Sequence, residues 1–138
     1  MARTNVTTIR VRYGEVDRMN TVYNARVLEW FEVARTEHLR EMGLPYSEIE
    51  SKGIYFPVIE ARVQFQGRAT YDDVLRLKTS LSRPSRLRLT FHITVDQQKT
   101  GRSVATGFTT HAITDSTGQP TRPPAWFGHR IKPHLDTE

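Results

Sequence analysis

The sequence predicts an α+β domain, and three observations carry that reading. Residues 25–43 place apolar side chains at helical spacing. Most of the chain after Ile54 alternates instead with a period of two. Short clusters of Gly, Pro, Asp and Ser separate the alternating runs, as in turns between antiparallel strands. With 138 residues, no linker and no internal repeat, the chain is expected to form one domain over residues 1–138, large enough to bury a core.

The elements follow in order. In VTTIRVRY, from Val6 to Tyr13, Ile9, Val11 and Tyr13 alternate with Arg10 and Arg12, a strand with one wet face. GEVDRMNTVYN is polar and turn-like. ARVLEWFEVARTEHLREMG reads as a helix of about 19 residues, roughly 28 Å long at the standard rise. Leu28, Phe31, Leu39 and Met42 form its expected buried stripe. Asn24 is placed to cap it and Gly43, followed by Pro45, to stop it. PYSEIESKG suggests a short helical turn ended by Gly53. Ile59, Ala61, Val63 and Phe65 then share one strand face, and Leu75, Leu77 and Leu81 another. LRLTFHITVDQ is the cleanest strand, with Leu87, Leu89, Phe91, Ile93 and Val95 inward. QKTGR makes a hairpin turn, and SVATGFTTHAIT is the last long strand. The proline-rich tail, from about residue 120 to 138, is expected to be irregular.

The order is therefore strand, long helix and four antiparallel strands. Such a sheet buries one face, and a single long helix is at hand to cover it. A five-stranded antiparallel sheet wrapped around one long central helix is the hotdog fold. Its edges stay open, so edge-to-edge pairing into a homodimer is expected.

Composition narrows the chemistry. There is no cysteine, which excludes disulfides, thiolate metal sites and cysteine nucleophiles. Lys and Arg total 20 against 15 Asp and Glu, a net charge of +5. The arginines are spread through the strands and not interleaved with aromatics, so nucleic acid is not the expected partner. No apolar run is long enough to cross a membrane, and the start MARTNVTTIRVRY lacks the apolar core of a secretory signal. A cytoplasmic location is expected. His38, His92, His111, His129 and His134 show no metal-ligand spacing, and none joins a serine in a nucleophile motif. With no glycine-rich phosphate loop either, neither a metal nor a nucleotide cofactor is expected.

One segment has the parts of a reaction centre: YGEVDRMNTVYNARVLEWFEVAR, from Tyr13 to Arg35. Asp17 lies between the first strand and the helix. The amides of Tyr23, Asn24 and Ala25 stand at the helix start, without acceptors in the helix and at the positive end of its dipole. A carbonyl oxygen held there would be stabilised as an oxyanion. Asp17 could attack the carbonyl carbon or activate a water. An aspartate before a helix also serves as a cap or turn former, and spacing alone leaves both roles open. Glu29 and Glu32 on the helix are rival carboxylates.

This segment resembles the motif of the 4-hydroxybenzoyl-CoA thioesterase family of hotdog acyl-CoA thioesterases. Tyr13, Glu15, Asp17, Val22, Tyr23, Asn24, Ala25, Leu28, Trp30, Phe31, Glu32, Ala34 and Arg35 stand at matching places. PVIEARVQFQGRATYDDVL is similar to the family's second strand, turn and third strand, and the likeness extends to about Phe127. The resemblance implies hydrolysis of an acyl-CoA thioester to free acid and CoA. Asp17 would be nucleophile or general base, and the amide of Asn24, or of Tyr23, would polarise the carbonyl. It further implies a pocket between two subunits, dimers pairing into tetramers, and CoA as part of the substrate with no separate cofactor. Thr21, Leu28, Phe31 and Phe56 are candidate pocket residues. Arg62, Arg68, Arg83, Arg86 and Arg88 are candidates for the CoA phosphates, which guanidinium suits. Two positions depart from the pattern: Asn20 replaces the usual Gly, and Thr21 the usual His or Val. Asn tolerates left-handed backbone angles, so Asn20 is expected to keep the turn. Two alternatives remain. A non-catalytic acyl-CoA-binding module would not need Asp17, and a hotdog hydratase or dehydratase would want a histidine where Thr21 stands.

Overall fold

The computed structural model describes residues 3–136. Strand β1 (Asn5–Arg10) leads through a 3-10 turn (Tyr13–Glu15) to helix α1 (Arg26–Glu41) and helix α2 (Tyr46–Ser51). Strands β2 (Val58–Phe65), β3 (Val74–Ser85), β4 (Arg88–Gln97) and β5 (Ser103–Ala112) follow. Helix α3 (Ala125–Ile131) and a 3-10 turn (Lys132–His134) complete the chain. The five strands form one antiparallel sheet in the order β1-β3-β4-β5-β2.

The period-two pattern of β3 and β4 folds as expected. Leu77 pairs with Val95, Thr79 with Ile93 and Leu81 with Phe91, all buried under α1. Helix α1 lies across β1, β3, β4 and β5 and buries Val27, Trp30, Phe31, Ala34, His38 and Leu39. That stripe is rotated from the expected one. Phe31, Leu39 and Met42 are inside, but Leu28 is 44% exposed. The helix has 16 residues, shorter than expected, and α2 and α3 accompany it. It ends where the sequence implied: Gly43 adopts φ +77°, and the Leu44 amide reaches back to the Leu39 carbonyl at 2.9 Å.

Two expectations need correction. Strand β2 is not the hairpin partner of β3. It occupies the far edge beside β5, with Ala61 opposite Thr109, Val63 opposite Gly107 and Phe65 opposite Ala105. Residues 66–73 cross the sheet end to reach β3. A Cβ at Gly107 would collide with the Arg62 carbonyl and come within 2.9 Å of the Phe31 ring, so α1 seats directly on the β5 backbone. The helix does not cover β2, whose Val58, Ile59 and Phe65 stay about half exposed. The tail, expected to be irregular, instead forms α3. Pro124 takes the N-cap position, and Phe127 and Ile131, one turn apart, are buried. Beyond it, the Asp136 amide donates to the Leu81 carbonyl at 2.8 Å, docking the tail on β3. No helix among the described residues is long and apolar enough to cross a membrane.

Candidate active site

Asp17 sits in a small hairpin of its own. Val16 bridges Val22, the Asp17 amide donates to the Thr21 carbonyl at 2.9 Å, and the Asn20 amide returns to the Asp17 carbonyl at 3.0 Å. Asn20 makes the reversal at φ +55°, the left-handed geometry that Asn accepts in place of Gly. The Asp17 side chain closes the same turn through one oxygen. Its Oδ1 accepts from the Met19 amide at 2.8 Å and, more weakly, from the Thr21 amide at 3.4 Å. Its Oδ2 has no hydrogen-bond partner among the described residues. The turn-forming role thus leaves half of the carboxylate open: one oxygen fixes the loop and the other is free.

Arg68 braces this loop from the β2–β3 crossing. Its guanidinium donates to Thr21 Oγ1 at 2.7 and 3.0 Å and to the Met19 carbonyl at 3.2 Å. The crossing also receives the Val22 amide on the Ala69 carbonyl at 3.0 Å. Sequence reasoning had no means to pair Arg68 with Thr21, which lies 47 residues away.

Glu15 ties the loop to the helix. The side chain is buried. Oε1 accepts from the Arg12 amide at 2.8 Å, and Oε2 accepts from the Trp30 indole at 3.0 Å and the Arg12 guanidinium at 3.3 Å. Burial alone would raise its pKa, but these donors outweigh it and hold the carboxyl below the ordinary range. The Glu15 carbonyl accepts from the Tyr23 amide at 2.9 Å. Replacing Glu15 with Gln is expected to cost about 2 kcal/mol in urea denaturation, because an amide cannot accept from every donor around it. Turnover should fall by more than the loss of folded protein explains.

That Tyr23 bond leaves the two candidate amides in different states. Tyr23 N–H is committed to Glu15, whereas the amides of Asn24 and Ala25 have no acceptor among the described residues. The Asn24 side chain does not cap α1: Ala25 takes the N-cap position, with no side-chain bond. The helix therefore presents open amides beside the arm that carries Asp17. Tyr71, whose amide reaches Asn20 Oδ1 in the Asp17 loop at 3.4 Å, stands edge to face with Tyr13 at 5.7 Å, and both are exposed, as are Met19, Tyr23 and Leu28 along the loop and the helix start. On one chain the site is an open surface.

The remaining candidates are dispersed. Phe31 is fully buried in the core. Phe56 is buried beside the middle of α1, where it lines a cavity of about 90 Å³ with Glu32, Arg35, Tyr46 and His111. Arg62 and Arg88 belong to strands β2 and β4 and line two different grooves. Arg83 and Arg86 meet Arg122 at the α3 end of the sheet. Arg83 is nine residues along β3 from Val74, the end nearest the Asp17 loop, or about 30 Å at the strand rise. None of these four arginines shares a site with Asp17 of the same chain; Arg68 does. Of the rival carboxylates, Glu29 is paired with Arg26 at 3.1 Å, and Glu32 faces the Arg35 cavity.

His111 lies across that cavity. Its Nδ1 meets the Phe56 carbonyl at 2.9 Å and its Nε2 meets Thr109 Oγ1 at 2.8 Å. Since a carbonyl only accepts, the neutral ring carries its proton on Nδ1 and accepts from Thr109. Burial pushes its pKa down to about 4.

Comparison with known proteins places this architecture. The acyl-CoA thioesterase YbgC of Haemophilus influenzae is 35% identical over 75 residues, 54% of this chain and 55% of that protein. The chain spans about half the length of the curated relatives it matches first. Protein TT1821 of Thermus thermophilus superposes with a TM-score of 0.90 at 30% identity, over 98% of this chain and 100% of that one. The DHNA-CoA thioesterase of Staphylococcus aureus superposes at 0.85 with 29% identity, over 94% and 87%. The sequence profile of the thioesterase-like superfamily matches residues 11–131, which hold the Asp17 loop, all three α-helices and strands β2 to β5. The chain therefore belongs to the thioesterase-like superfamily and has its hotdog-like fold.

Proposed function

We propose that this protein hydrolyses acyl-CoA thioesters to free acid and CoA. The observation that carries the reading is a free Asp17 Oδ2 on a hairpin that runs directly into the open amides at the head of α1. Asp17 acts as nucleophile or general base, and the Asn24 amide receives the carbonyl oxygen as charge develops on it. The thiolate of CoA leaves, and water supplies the oxygen of the acid. The hydrolysis uses no metal or separate cofactor. The names of YbgC and the staphylococcal enzyme support the same substrate class. Within the superfamily, the Tyr13–Arg35 motif favours the 4-hydroxybenzoyl-CoA thioesterase family.

The assembly is a homodimer paired through β2, with α1 as the central helix, and two such dimers form a tetramer. The half-exposed apolar side chains of β2, an edge strand, and those around Asp17 support that pairing. Thr21 and Leu28 then line the pocket. Phe56 is reached only by a long acyl group, since α1 runs about 15 Å from Ala25 to Arg35. Arg68 is the cation at the Asp17 loop for a CoA phosphate, whereas Arg62, Arg83, Arg86 and Arg88 would serve only a substrate held by a partner chain. An acyl-CoA substrate puts the enzyme in the cytoplasm.

The test is free-thiol release from a panel of aromatic and aliphatic acyl-CoAs. Turnover is the expected result. Saturable binding without thiol release would make the chain an acyl-CoA-binding module instead.

A further inference from the structure

At the end of α1 remote from Asp17, three side chains separated in sequence come together. His38, on the inner face of α1, is wholly buried, and neither ring nitrogen has a hydrogen-bond partner among the described residues. His134, in the turn after α3, is 6% exposed and its Nδ1 is likewise without a partner. The two rings meet edge to face at 5.6 Å. Glu41, one turn after His38, brings Oε1 to 3.7 Å from His38 Nδ1. One ligand atom from each residue lies within 4.8 Å of the other two.

We propose that His38, Glu41 and His134 form a binding site for a divalent transition-metal ion, with zinc the best fit, that clamps the C-terminal segment to α1. Buried polar nitrogens left without partners call for an explanation such as an ion or a water. Two imidazoles and one carboxylate are a ligand set that zinc favours, whereas magnesium and calcium prefer oxygen alone. Ligation requires neutral imidazole, the form that burial favours for both histidines. Glu41 is half exposed, so an ion can enter and a water can fill a fourth position. Asn5 Nδ2 donates to Glu41 Oε1 at 3.3 Å and orients the carboxylate from β1. Arg3 is the opposing cation, its charge felt at His134, and Glu41 offsets it there.

The consequence is mechanical. The ion would join residues 96 positions apart, 38 and 134, and lock the segment whose Asp136 amide docks on Leu81. His38 lies 13 residues beyond Ala25, about 20 Å along α1, so the clamp acts on stability and not on hydrolysis.

The test uses the full-length, untagged chain after chelator treatment. Cobalt(II) is titrated in by visible absorption and calorimetry, and zinc is then added in competition. One ion per chain, a tetrahedral cobalt spectrum displaced by zinc, and a higher melting temperature with zinc are expected. Glu41→Gln, a change on the exposed side of the cluster, should fold normally and weaken cobalt binding by about a hundredfold or more, beyond the usual loss from altering an outer-sphere group. His134→Ala should do the same. Two results would overturn the site: no binding by the native chain, or equal affinity in native and both variants, which would place the ion on other histidines.

Discussion

Asp17→Asn is expected to lower thioester turnover by about a hundredfold or more, the scale of a lost acid–base or covalent group, while the melting temperature stays unchanged. The structure explains why this substitution isolates the chemistry. Asparagine keeps an Oδ1 that can accept from the Met19 and Thr21 amides, so the loop persists. What it loses is the anionic Oδ2, the oxygen with no structural duty. Asp17→Ala removes both and should also loosen the loop, so a comparison of the two separates shape from charge. Steady-state thiol release with a good substrate gives the answer. Full activity in the Asn variant would move the carboxylate elsewhere. Glu32 would then be tested before Glu29, which Arg26 already engages.

Acid should destabilise the protein well above the pH at which carboxylates titrate, and His111 is one identifiable cause. Its pKa is about 4 when folded against about 6.5 when unfolded. Between those values the unfolded chain binds a proton that the folded chain refuses. Stability is therefore complete above pH 6.5 and is lost as the pH falls towards 4, by about 1.4 kcal/mol per pH unit for this residue. The total is roughly 3 kcal/mol, a large share of a domain's stability. His38, also lowered to about 4, and His134, lowered as well, add in the same direction. Urea midpoints between pH 7.5 and 4.5 measure the slope. In His111→Gln, whose side chain can still donate to Phe56 and accept from Thr109, the profile should be shallower by that one-proton amount. An unchanged profile would mean that His111 protonates freely in the fold.

Much of the fold was legible because periodicity reports burial. Strands β3 and β4 alternate cleanly, since α1 covers one of their faces and solvent the other. Strand β2 alternates as well, yet both its faces are open in a single chain. Its pattern matches a surface that a partner would cover, and no rule of periodicity tells which neighbour does the covering. Nor does period give strand order, so the placement of β2 beside β5 could not be read. The helical stripe differs at Leu28 because the buried face includes Trp30, whose indole is drawn in to the Glu15 carboxylate, and Leu28 is turned outward. The tail departs from its irregular expectation because its prolines stand where proline suits a helix, at the start of α3. In the site, Asp17 and Asn24 were visible as neighbours along one motif. The Arg68–Thr21 contact and the His38–Glu41–His134 cluster were not, because only the folded chain makes those residues neighbours.

The seat of α1 on Gly107 has a consequence for how this architecture can drift. The helix behaves as a rigid beam on two bearings: Trp30 against Glu15 near its head, and Phe31 against the bare backbone of β5. The second bearing is defined by a missing methyl group. A side chain at position 107 would press on the Arg62 carbonyl of β2 and on the Phe31 ring, so β2 and the helix would both have to give way. The placement of the helix head is thus set by an atom that the chain leaves out, on a strand that contributes nothing to the Asp17 loop itself.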